Sequence, residues 1–220
     1  LDGLLRARSK QLSGIVNGID YNVYNPKTDK DIAVNYSVED VIKAKAANKA
    51  ALQKELGLEE NPDAFMLGIV SRLTDQKGLD LVECVLDQIC AEDVQLVVLG
   101  TGEGKYQDMF TYYSRKYPER VSANIFYSEA LSHRIYASCD AFLMPSLFEP
   151  CGLSQLMSLR YGTLPIVRET GGLRDTVTPY NEVDGTGTGF SFTNYNAHEM
   201  LAIIRYAKKT YFNDRRAWNE

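Results

Sequence analysis

Short apolar segments alternate with segments of helical periodicity along most of this chain. The apolar segments are residues 65–70, 94–100, 121–127, 141–145, 164–167 and 189–192. Helical spacing of apolar residues occupies the stretches that follow them, residues 78–90, 106–118, 131–139, 152–162, 172–177 and 197–212. Strands that are apolar throughout are covered on both faces, so the alternation predicts an α/β fold. We expect a Rossmann-like open parallel sheet with helices on both faces.

The first 36 residues lack this alternation. They contain Asn-Gly and Asn-Pro pairs, which favour turns, and we predict that residues 1–36 form an interdomain connection and surface segment. The predicted domain then spans residues 37–220. Its first helix should be capped by Ser37, with Asp40 three residues on, and should end at Gly57. The last helical pattern stops at "RRAWNE", so we expect the C-terminal helix to be truncated.

Composition narrows the class of protein. The 220 residues are 45% hydrophobic and 24% charged, which is typical of a globular domain. A net charge of -5 gives no support for a nucleic-acid surface, and no apolar run approaches the roughly 20 residues of a membrane span. The cysteines have no metal-ligand spacing and are predicted to be buried small hydrophobes in a reducing, cytoplasmic compartment. They are Cys84, Cys90, Cys139 and Cys151.

Two features raise the question of a metal site. Asp29, Lys30 and Asp31 have the spacing of a metal-holding carboxylate pair, but solvated charges are the favoured interpretation in this polar stretch. His133 and His198 both fall within helical patterns, without a second His or Cys at ligand spacing. We therefore predict no metal site.

Ligands of such folds bind at the carboxyl ends of the strands, so the loops there are the expected positions of functional residues. In "SRLTDQKG", after the first strand, Arg72 and Lys77 place two cations in one loop, which suits a diphosphate. A solvated loop is the alternative, and a Lys at a helix start opposes the helix dipole, which weakens that alternative. Tyr127 ends the third strand and is a candidate for stacking on a nucleobase, on position alone.

The stretch "SLFEPCGLSQLMSLRYGTLPIVRETGG" contains two helix starts. The free N–H groups of Cys151, Gly152, Leu153 and Ser154 are predicted to form an anion cradle, and the Gly171-Gly172 pair a second one. Glu149 lies just outside and would meet hydroxyl donors, such as those of a sugar on the diphosphate. The alternatives are a charge that complements a helix dipole, for Glu149, and a plain turn, for the glycines.

"LGTGEG" resembles part of a dinucleotide fingerprint. The full G-x-G-x-x-G spacing is absent, and the run follows the second strand rather than the first. A tight turn beside the site is therefore favoured over nicotinamide binding. This chain also lacks an evident acidic residue of the kind that binds the ribose in an NAD enzyme.

Nearly the whole chain resembles the C-terminal half of bacterial glycogen synthases and plant starch synthases, which are retaining glycosyltransferases of the two-domain GT-B architecture. The resemblance rests on "VNGID", "SRLTDQKGLDL", "SHRIYASCD" and, most specifically, "FEPCGLSQLMSLRYGTLPIVRETGGLRDTV". The wider superfamily often has a second Glu eight residues after Glu149, where this chain has Met157. Glycogen and starch synthases commonly lack that Glu, so its absence narrows the resemblance from the superfamily to these synthases.

The resemblance implies a donor-binding domain that moves glucose from ADP-glucose to the non-reducing end of an α-1,4-glucan, without a metal or other cofactor. It implies that Arg72 and Lys77 hold the diphosphate, that Glu149 binds glucose hydroxyls, and that Tyr127 stacks on adenine. The Cys151–Ser154 backbone would cap the phosphate. The N-terminal domain of the family is missing from this chain, so we expect the chain to be inactive alone. The location would be cytoplasmic in a bacterium or plastidial in a plant.

One interpretation from another class remains open, which is a stand-alone nucleotide-binding or regulatory module without catalysis. The joint presence of Arg72, Lys77 and Glu149 favours the transferase, because a pure binder has no need of all three.

Overall fold

The computed structural model describes residues 1–219. Its centre is a six-stranded sheet in the order β3-β2-β1-β4-β5-β6, and every pair of neighbouring strands is parallel. The strands are β1 Phe65–Val70, β2 Val94–Leu99, β3 Val121–Asn124, β4 Ala141–Met144, β5 Leu164–Arg168 and β6 Phe190–Phe192. The predicted open parallel sheet is confirmed. After β3 the chain returns to the centre and places β4 beside β1, so the strand order reverses there.

Helices occupy the connections between these strands. Within residues 1–219 they are α1 Asp2–Ala7, α2 Val41–Leu56, α3 Leu79–Cys90, α4 Gly104–Lys116, α5 Glu129–Ser138, α6 Ser154–Arg160, α7 Gly171–Thr176, α8 Ala197–Asn213 and α9 Arg215–Asn219. Two 3₁₀ turns cover Ser9–Gln11 and Asp75–Lys77. The predicted start of α6 at Gly152 is two residues too early, because Gly152 has φ of +73°, outside the helical region.

The helices cover both faces of the sheet. Alternate residues of β1 divide between two apolar clusters, as the two-residue period of a strand requires. Phe65, Leu67 and Ile69 lie in the cluster that includes side chains of α3, α4 and α8. Met66 lies in the cluster that includes side chains of α2 and α5. Burial on both faces explains why this strand reads as a continuous apolar run.

The first 36 residues differ from the expected surface segment in their second half. Large apolar side chains near the start of the chain are exposed, whereas Ile32 and Tyr36 are buried in a core cluster. The hydroxyl of Tyr36 donates to the Tyr161 carbonyl at 2.7 Å. Residues around 32–36 therefore help to form the core, and the division at residue 36 stays a prediction.

The predicted cap of α2 is wrong by three residues. The helix begins at Val41 with Asp40 as its N-cap residue, and the Ser37 N–H donates to Asp40 Oδ1 at 2.7 Å. Ser37 thus closes a turn in front of the helix. The predicted end is confirmed, because Gly57 has the left-handed conformation at φ 68° that commonly ends a helix.

The four cysteines are free thiols in different environments. Cys90 and Cys139 are buried as predicted, and burial raises the pKa of Cys90 to about 11 and that of Cys139 to about 12. Cys84 is exposed and Cys151 is partly exposed, so the expectation of burial is wrong for these two. No helix within residues 1–219 is long and apolar enough to cross a membrane.

Candidate functional site

Two loops meet where the strand order reverses, at the carboxyl ends of β1 and β4. The Leu147 N–H donates to the Gln76 carbonyl at 2.9 Å, which joins the two loops. Gly78 has φ of +70°, and a Cβ there would overlap the carbonyl oxygen of Pro145. Only glycine allows this approach, and it brings the Lys77 loop against the Glu149 loop. Crevices at such reversals are the usual ligand sites of open α/β sheets.

Lys77 and Glu149 form an ion pair at this junction. The Lys77 Nζ lies 2.5 Å from Glu149 Oε2, and the two side chains are 16% and 11% exposed. Ser146 Oγ donates to the same carboxylate oxygen at 3.5 Å. Within residues 1–219 the Lys77 ammonium has no other hydrogen-bond partner, although it carries three donors. It can therefore hold Glu149 and still offer hydrogen bonds to an anion.

A cavity of about 260 Å³ lies at the carboxyl ends of β1, β2 and β3. Its lining residues are Tyr24, Val70, Ser71, Arg72, Leu99, Gly100, Thr101, Phe126, Tyr127, Ser128, Glu129, Ser132, Tyr136 and Met157. Arg72 and Tyr127, which the sequence analysis placed in one site, thus line the same cavity. Lys77 and Glu149 are outside the lining and connect with it through the residue 71–78 loop.

Arg72 is an exposed cation without a protein partner. Across the described part of the chain, its guanidinium makes neither a hydrogen bond nor an ion pair. Tyr127 is 84% exposed, an unusual setting for a large aromatic side chain. A cation and an aromatic ring on one cavity wall are suited to a phosphate and a flat heterocycle.

The "GTGEG" loop is a turn that packs against the Arg72 loop. Leu73 donates its N–H to the Thr101 carbonyl at 2.9 Å, and Glu103 donates to the Leu73 carbonyl at 2.7 Å. A Cβ at Gly100 would overlap the Ser71 carbonyl oxygen. These glycines therefore serve close packing of two loops, which agrees with the expectation of a tight turn beside the site.

The turn at residues 151–154 leaves several backbone donors unused. Within residues 1–219 the N–H groups of Cys151, Gly152, Leu153 and Ser154 donate to no acceptor. Buried Gln155 fixes the turn, because its Nε2 donates to the carbonyls of Cys151 at 3.0 Å and Gly152 at 2.9 Å. The four N–H groups named from the sequence are thus free for a ligand.

The Gly171-Gly172 pair has a different environment from the predicted anion nest. The Gly172 N–H already donates to the Glu149 carbonyl at 3.0 Å. A Cβ at Gly171 would overlap the Glu149 carbonyl oxygen, and one at Gly172 would overlap the Cys151 backbone. The two glycines therefore pack against the backbone of the Glu149 loop. The contact of these glycines with a ligand stays a prediction.

Sequence reasoning missed the inner wall of the cavity. Tyr24 lies in the segment treated as a surface connection, and Tyr136 and Met157 lie on helices read only for periodicity. Burial raises the pKa of Tyr24 and of Tyr136, so both hydroxyls stay protonated at neutral pH. Tyr24 stacks on His133 with ring centroids 4.9 Å apart, which fixes this wall. No local signal marked these residues, because tertiary contacts bring them together.

The interpretation of Asp29 as a solvated charge is wrong. Asp29 is buried, and its Oδ2 lies 2.7 Å from His133 Nδ1 and also accepts a hydrogen bond from the Tyr161 hydroxyl. Asp29, His133 and exposed Asp31 place three potential metal-ligand atoms within 4.8 Å of one another. Asp29 Oδ1 accepts the Asp31 N–H at 2.9 Å, so both of its oxygens are already hydrogen-bonded. These hydrogen bonds anchor residues 29–31 on α5.

The fold is an open, doubly wound α/β domain with a crevice at the point where the strand order reverses. The profile of the family "Glycosyl transferases group 1" matches residues 49–220, and the chain belongs to that family. Within the family, the chain is similar to glycogen synthases. It is 71% identical over its whole length to glycogen synthase of Lachnospira eligens and 56% identical to that of Clostridium acetobutylicum. The chain spans 46% of each of these relatives.

Solved structures give the same result. The catalytic domain of starch synthase IV from Arabidopsis thaliana, bound to ADP and acarbose, superposes with a TM-score of 0.91 at 34% identity. That match covers 99% of this chain and 45% of the starch synthase chain. The C-terminal domain of a glycosyl transferase group 1 family protein from Francisella tularensis shares the fold, with a TM-score of 0.62 at 11% identity. The resemblance read from the sequence is therefore confirmed.

Proposed function

We propose that this chain is the donor-binding domain of a retaining glycosyltransferase that moves glucose from ADP-glucose to the non-reducing end of an α-1,4-glucan. One observation carries the proposal. Exposed Tyr127 and Arg72, whose guanidinium has no partner within residues 1–219, line one cavity, and the loop that carries Arg72 continues to Lys77, which pairs with Glu149. These groups suit the parts of a sugar nucleotide, with an aromatic ring for the base, two cations for the diphosphate and a carboxylate for the sugar.

Each group has a role that its environment supports. Tyr127 stacks on the adenine, and Arg72 and Lys77 bind the diphosphate, with the free N–H groups of residues 151–154 beside it. Glu149 accepts hydrogen bonds from glucose hydroxyls, because a carboxylate repels phosphate and attracts O–H donors. Complexed ADP in the similar starch synthase supports adenine as the base.

The chemical task of the site is to stabilise the leaving diphosphate. Negative charge grows on the oxygen of ADP as the bond to glucose breaks. Two cations held in place beforehand stabilise that charge more in the transition state than in the bound substrate, which lowers the barrier. Because Arg72 and Lys77 supply this positive charge, the proposed reaction needs no metal and no other cofactor.

The proposed enzyme contains a second, N-terminal domain, which the 46% coverage of the relatives supports. The beginning of this chain carries large exposed apolar side chains that such a domain could cover: Leu1, Leu4, Leu5, Leu12, Ile15 and Val16. The acceptor glucan would bind in the cleft between the domains. Alignment of donor and acceptor there is worth on the order of 7–11 kcal/mol, so the chain alone should transfer no glucose. We place the enzyme in the cytoplasm.

The test compares this chain with the two-domain protein that contains it. We expect the two-domain protein to incorporate labelled glucose from ADP-glucose into glycogen, and to do so less well from UDP-glucose. The chain alone should fold, bind ADP weakly in calorimetry and incorporate nothing. Full turnover by the chain alone would contradict the need for a cleft. Binding of ADP without transfer by the two-domain protein would instead identify a regulatory nucleotide-binding module.

A further inference from the structure

The segment that carries Glu149 is held along its whole length by donors from other elements. Four consecutive carbonyls, those of residues 146–149, each accept a hydrogen bond. Gln76 Nε2 donates to the Phe148 carbonyl at 3.3 Å, and the Gly172 N–H donates to the Glu149 carbonyl at 3.0 Å. The other two carbonyls, of Ser146 and Leu147, both accept from the Arg168 side chain.

Arg168 is the last residue of β5, the strand next to β4. Its Nε donates to the Ser146 carbonyl at 3.0 Å, and one terminal nitrogen donates to the Leu147 carbonyl. The other terminal nitrogen donates to the Thr193 carbonyl at 3.3 Å, beyond β6. One rigid, planar group thus joins the loops that follow two different strands.

The guanidinium itself is fixed in place. It lies over the Tyr195 ring, with Cζ 5.6 Å from the ring centroid. The Tyr195 hydroxyl donates to Asp80 Oδ1 at 2.5 Å, which ties the ring to α3. Arg168 therefore has little freedom to move, and neither do the carbonyls that it holds.

The geometry points to Arg168 as a positioning residue for Glu149, and this inference rests on the proposed function. The residue touches neither the cavity wall nor the Lys77–Glu149 pair. It fixes the backbone two and three residues before Glu149, so that the carboxylate stays opposite Lys77 and meets the sugar at one defined place. A long, flexible cation such as Lys cannot bind both carbonyls with the same fixed angle.

The first experiment measures kinetics in the two-domain protein. Arg168→Met keeps much of the side-chain length and removes all donors, Arg168→Lys keeps one charged donor, and Arg205→Met removes a surface Arg that pairs with Glu92. We expect Arg168→Met to lower kcat about 100-fold, since misplacement by about 1 Å costs that much, while Kd for ADP changes less than about threefold. Arg168→Lys should recover part of the loss, and Arg205→Met should match the parent protein.

A double-mutant cycle separates positioning from a general structural role. If Arg168 acts through Glu149, then Arg168→Met should add less than about threefold to the loss caused by Glu149→Gln alone. Independent, multiplying losses would overturn the inference, as would equal weakening of ADP binding and kcat.

A second measurement stands even if the proposed function fails. Amide hydrogen exchange in this chain should be faster at Leu147, whose N–H donates to the Gln76 carbonyl, in Arg168→Met than in Arg205→Met, with the six strands unchanged. Unchanged exchange at Leu147 would show that Arg168 does not hold the loop. Absence of any glucose transfer by the parent two-domain protein would refute the proposed function, and the exchange result would still decide whether Arg168 fixes the Glu149 segment.

Discussion

Two lysine–carboxylate pairs lie at opposite ends of β4, and they differ in how many hydrogen-bond donors of the lysine are used. Asp140 precedes the strand and pairs with Lys49 at 2.6 Å, while Glu149 follows it and pairs with Lys77 at 2.5 Å. Both pairs are largely buried. The Lys49 ammonium also donates to the Ala64 carbonyl and the Tyr211 hydroxyl, both at 3.0 Å, so all three of its donors are used.

The carboxylate at the amino end is satisfied as well. Asp140 Oδ2 accepts the Met66 N–H at 2.8 Å in addition to Lys49. The nearby Asp140 charge and Tyr211 outweigh desolvation and raise the pKa of Lys49. Such a closed network can only hold structure together. Lys77, by contrast, keeps donors free at the carboxyl end of the sheet, where ligands of this fold bind. Unused hydrogen-bonding capacity, rather than burial, therefore distinguishes the functional pair from the structural one.

The largest expected effect is on stability, at the amino end. Lys49→Met leaves the Asp140 carboxylate buried without its cation, and we expect the free energy of unfolding to fall by about 3–5 kcal/mol. Urea unfolding followed by circular dichroism measures this. The exposed pair of Lys116 with Asp87 is the control, and Lys116→Met should cost far less, because solvent screens an exposed ion pair. Equal losses in the two variants would remove the structural role of Lys49.

The next effect is on catalysis, at the carboxyl end. Lys77→Met should lower kcat of the two-domain protein by about 100- to 1,000-fold, or about 3–4 kcal/mol, and Arg72→Ala by a similar factor. The reason is the loss of charge opposite the leaving diphosphate. Lys49→Met, assayed where it is still folded, should retain most of kcat. If kcat of the Lys77→Met enzyme stayed within about threefold of the parent value, the leaving-group role of Lys77 would be wrong.

A smaller effect is expected at the exposed aromatic edge of the cavity. Tyr127→Ala should weaken ADP binding by about 1–3 kcal/mol through lost stacking on the base. Calorimetric titration of ADP measures it, and Tyr112→Ala, which removes a tyrosine exposed by 58% on α4, is the matched control. If both variants bound ADP like the parent, Tyr127 would have no stacking role.

The smallest effect is a pH dependence at Lys45, a half-buried cation. Its ammonium donates to Thr163 Oγ1 at 2.6 Å and to the Ala137 carbonyl at 3.1 Å, and desolvation lowers the pKa of Lys45 to about 8. Between pH 8 and its ordinary value of 10.5, the folded chain has lost this proton and the unfolded chain still binds it. Because the unfolded chain binds more protons than the folded chain in this window, the contribution of Lys45 to stability rises with pH across it, and it is constant below the window, where both states are protonated.

The comparison with Lys45→Met isolates this contribution. The difference in unfolding free energy between the parent chain and Lys45→Met should grow from pH 7.5 to pH 10, measured by urea unfolding at each pH. A difference that shrinks over the same range would show that the charged form is the one the fold stabilises.

The alternating apolar pattern by itself determined that the chain forms a parallel sheet and in which succession strands and helices occur along the chain. It also determined which loops follow strands, where a ligand binds. It did so because a strand covered on both faces needs apolar residues throughout, and because parallel strands put their carboxyl ends on one edge. Arg72, Lys77, Tyr127 and Glu149 could be named for the same reason, since each lies in a loop that follows a strand.

Only the tertiary structure decided which of these residues meet and what supports them. The pairing of Lys77 with Glu149 joins residues 72 positions apart, and Arg168, at the end of β5, binds the backbone that precedes Glu149. The burial of Asp29 against His133 depends on contacts across 104 residues. Local patterns record burial and turn preference within a few positions, whereas a buried hydrogen bond depends on which distant donor arrives. That is why a charge in a polar stretch was misread as solvated, and why the support of Glu149 became visible only in three dimensions.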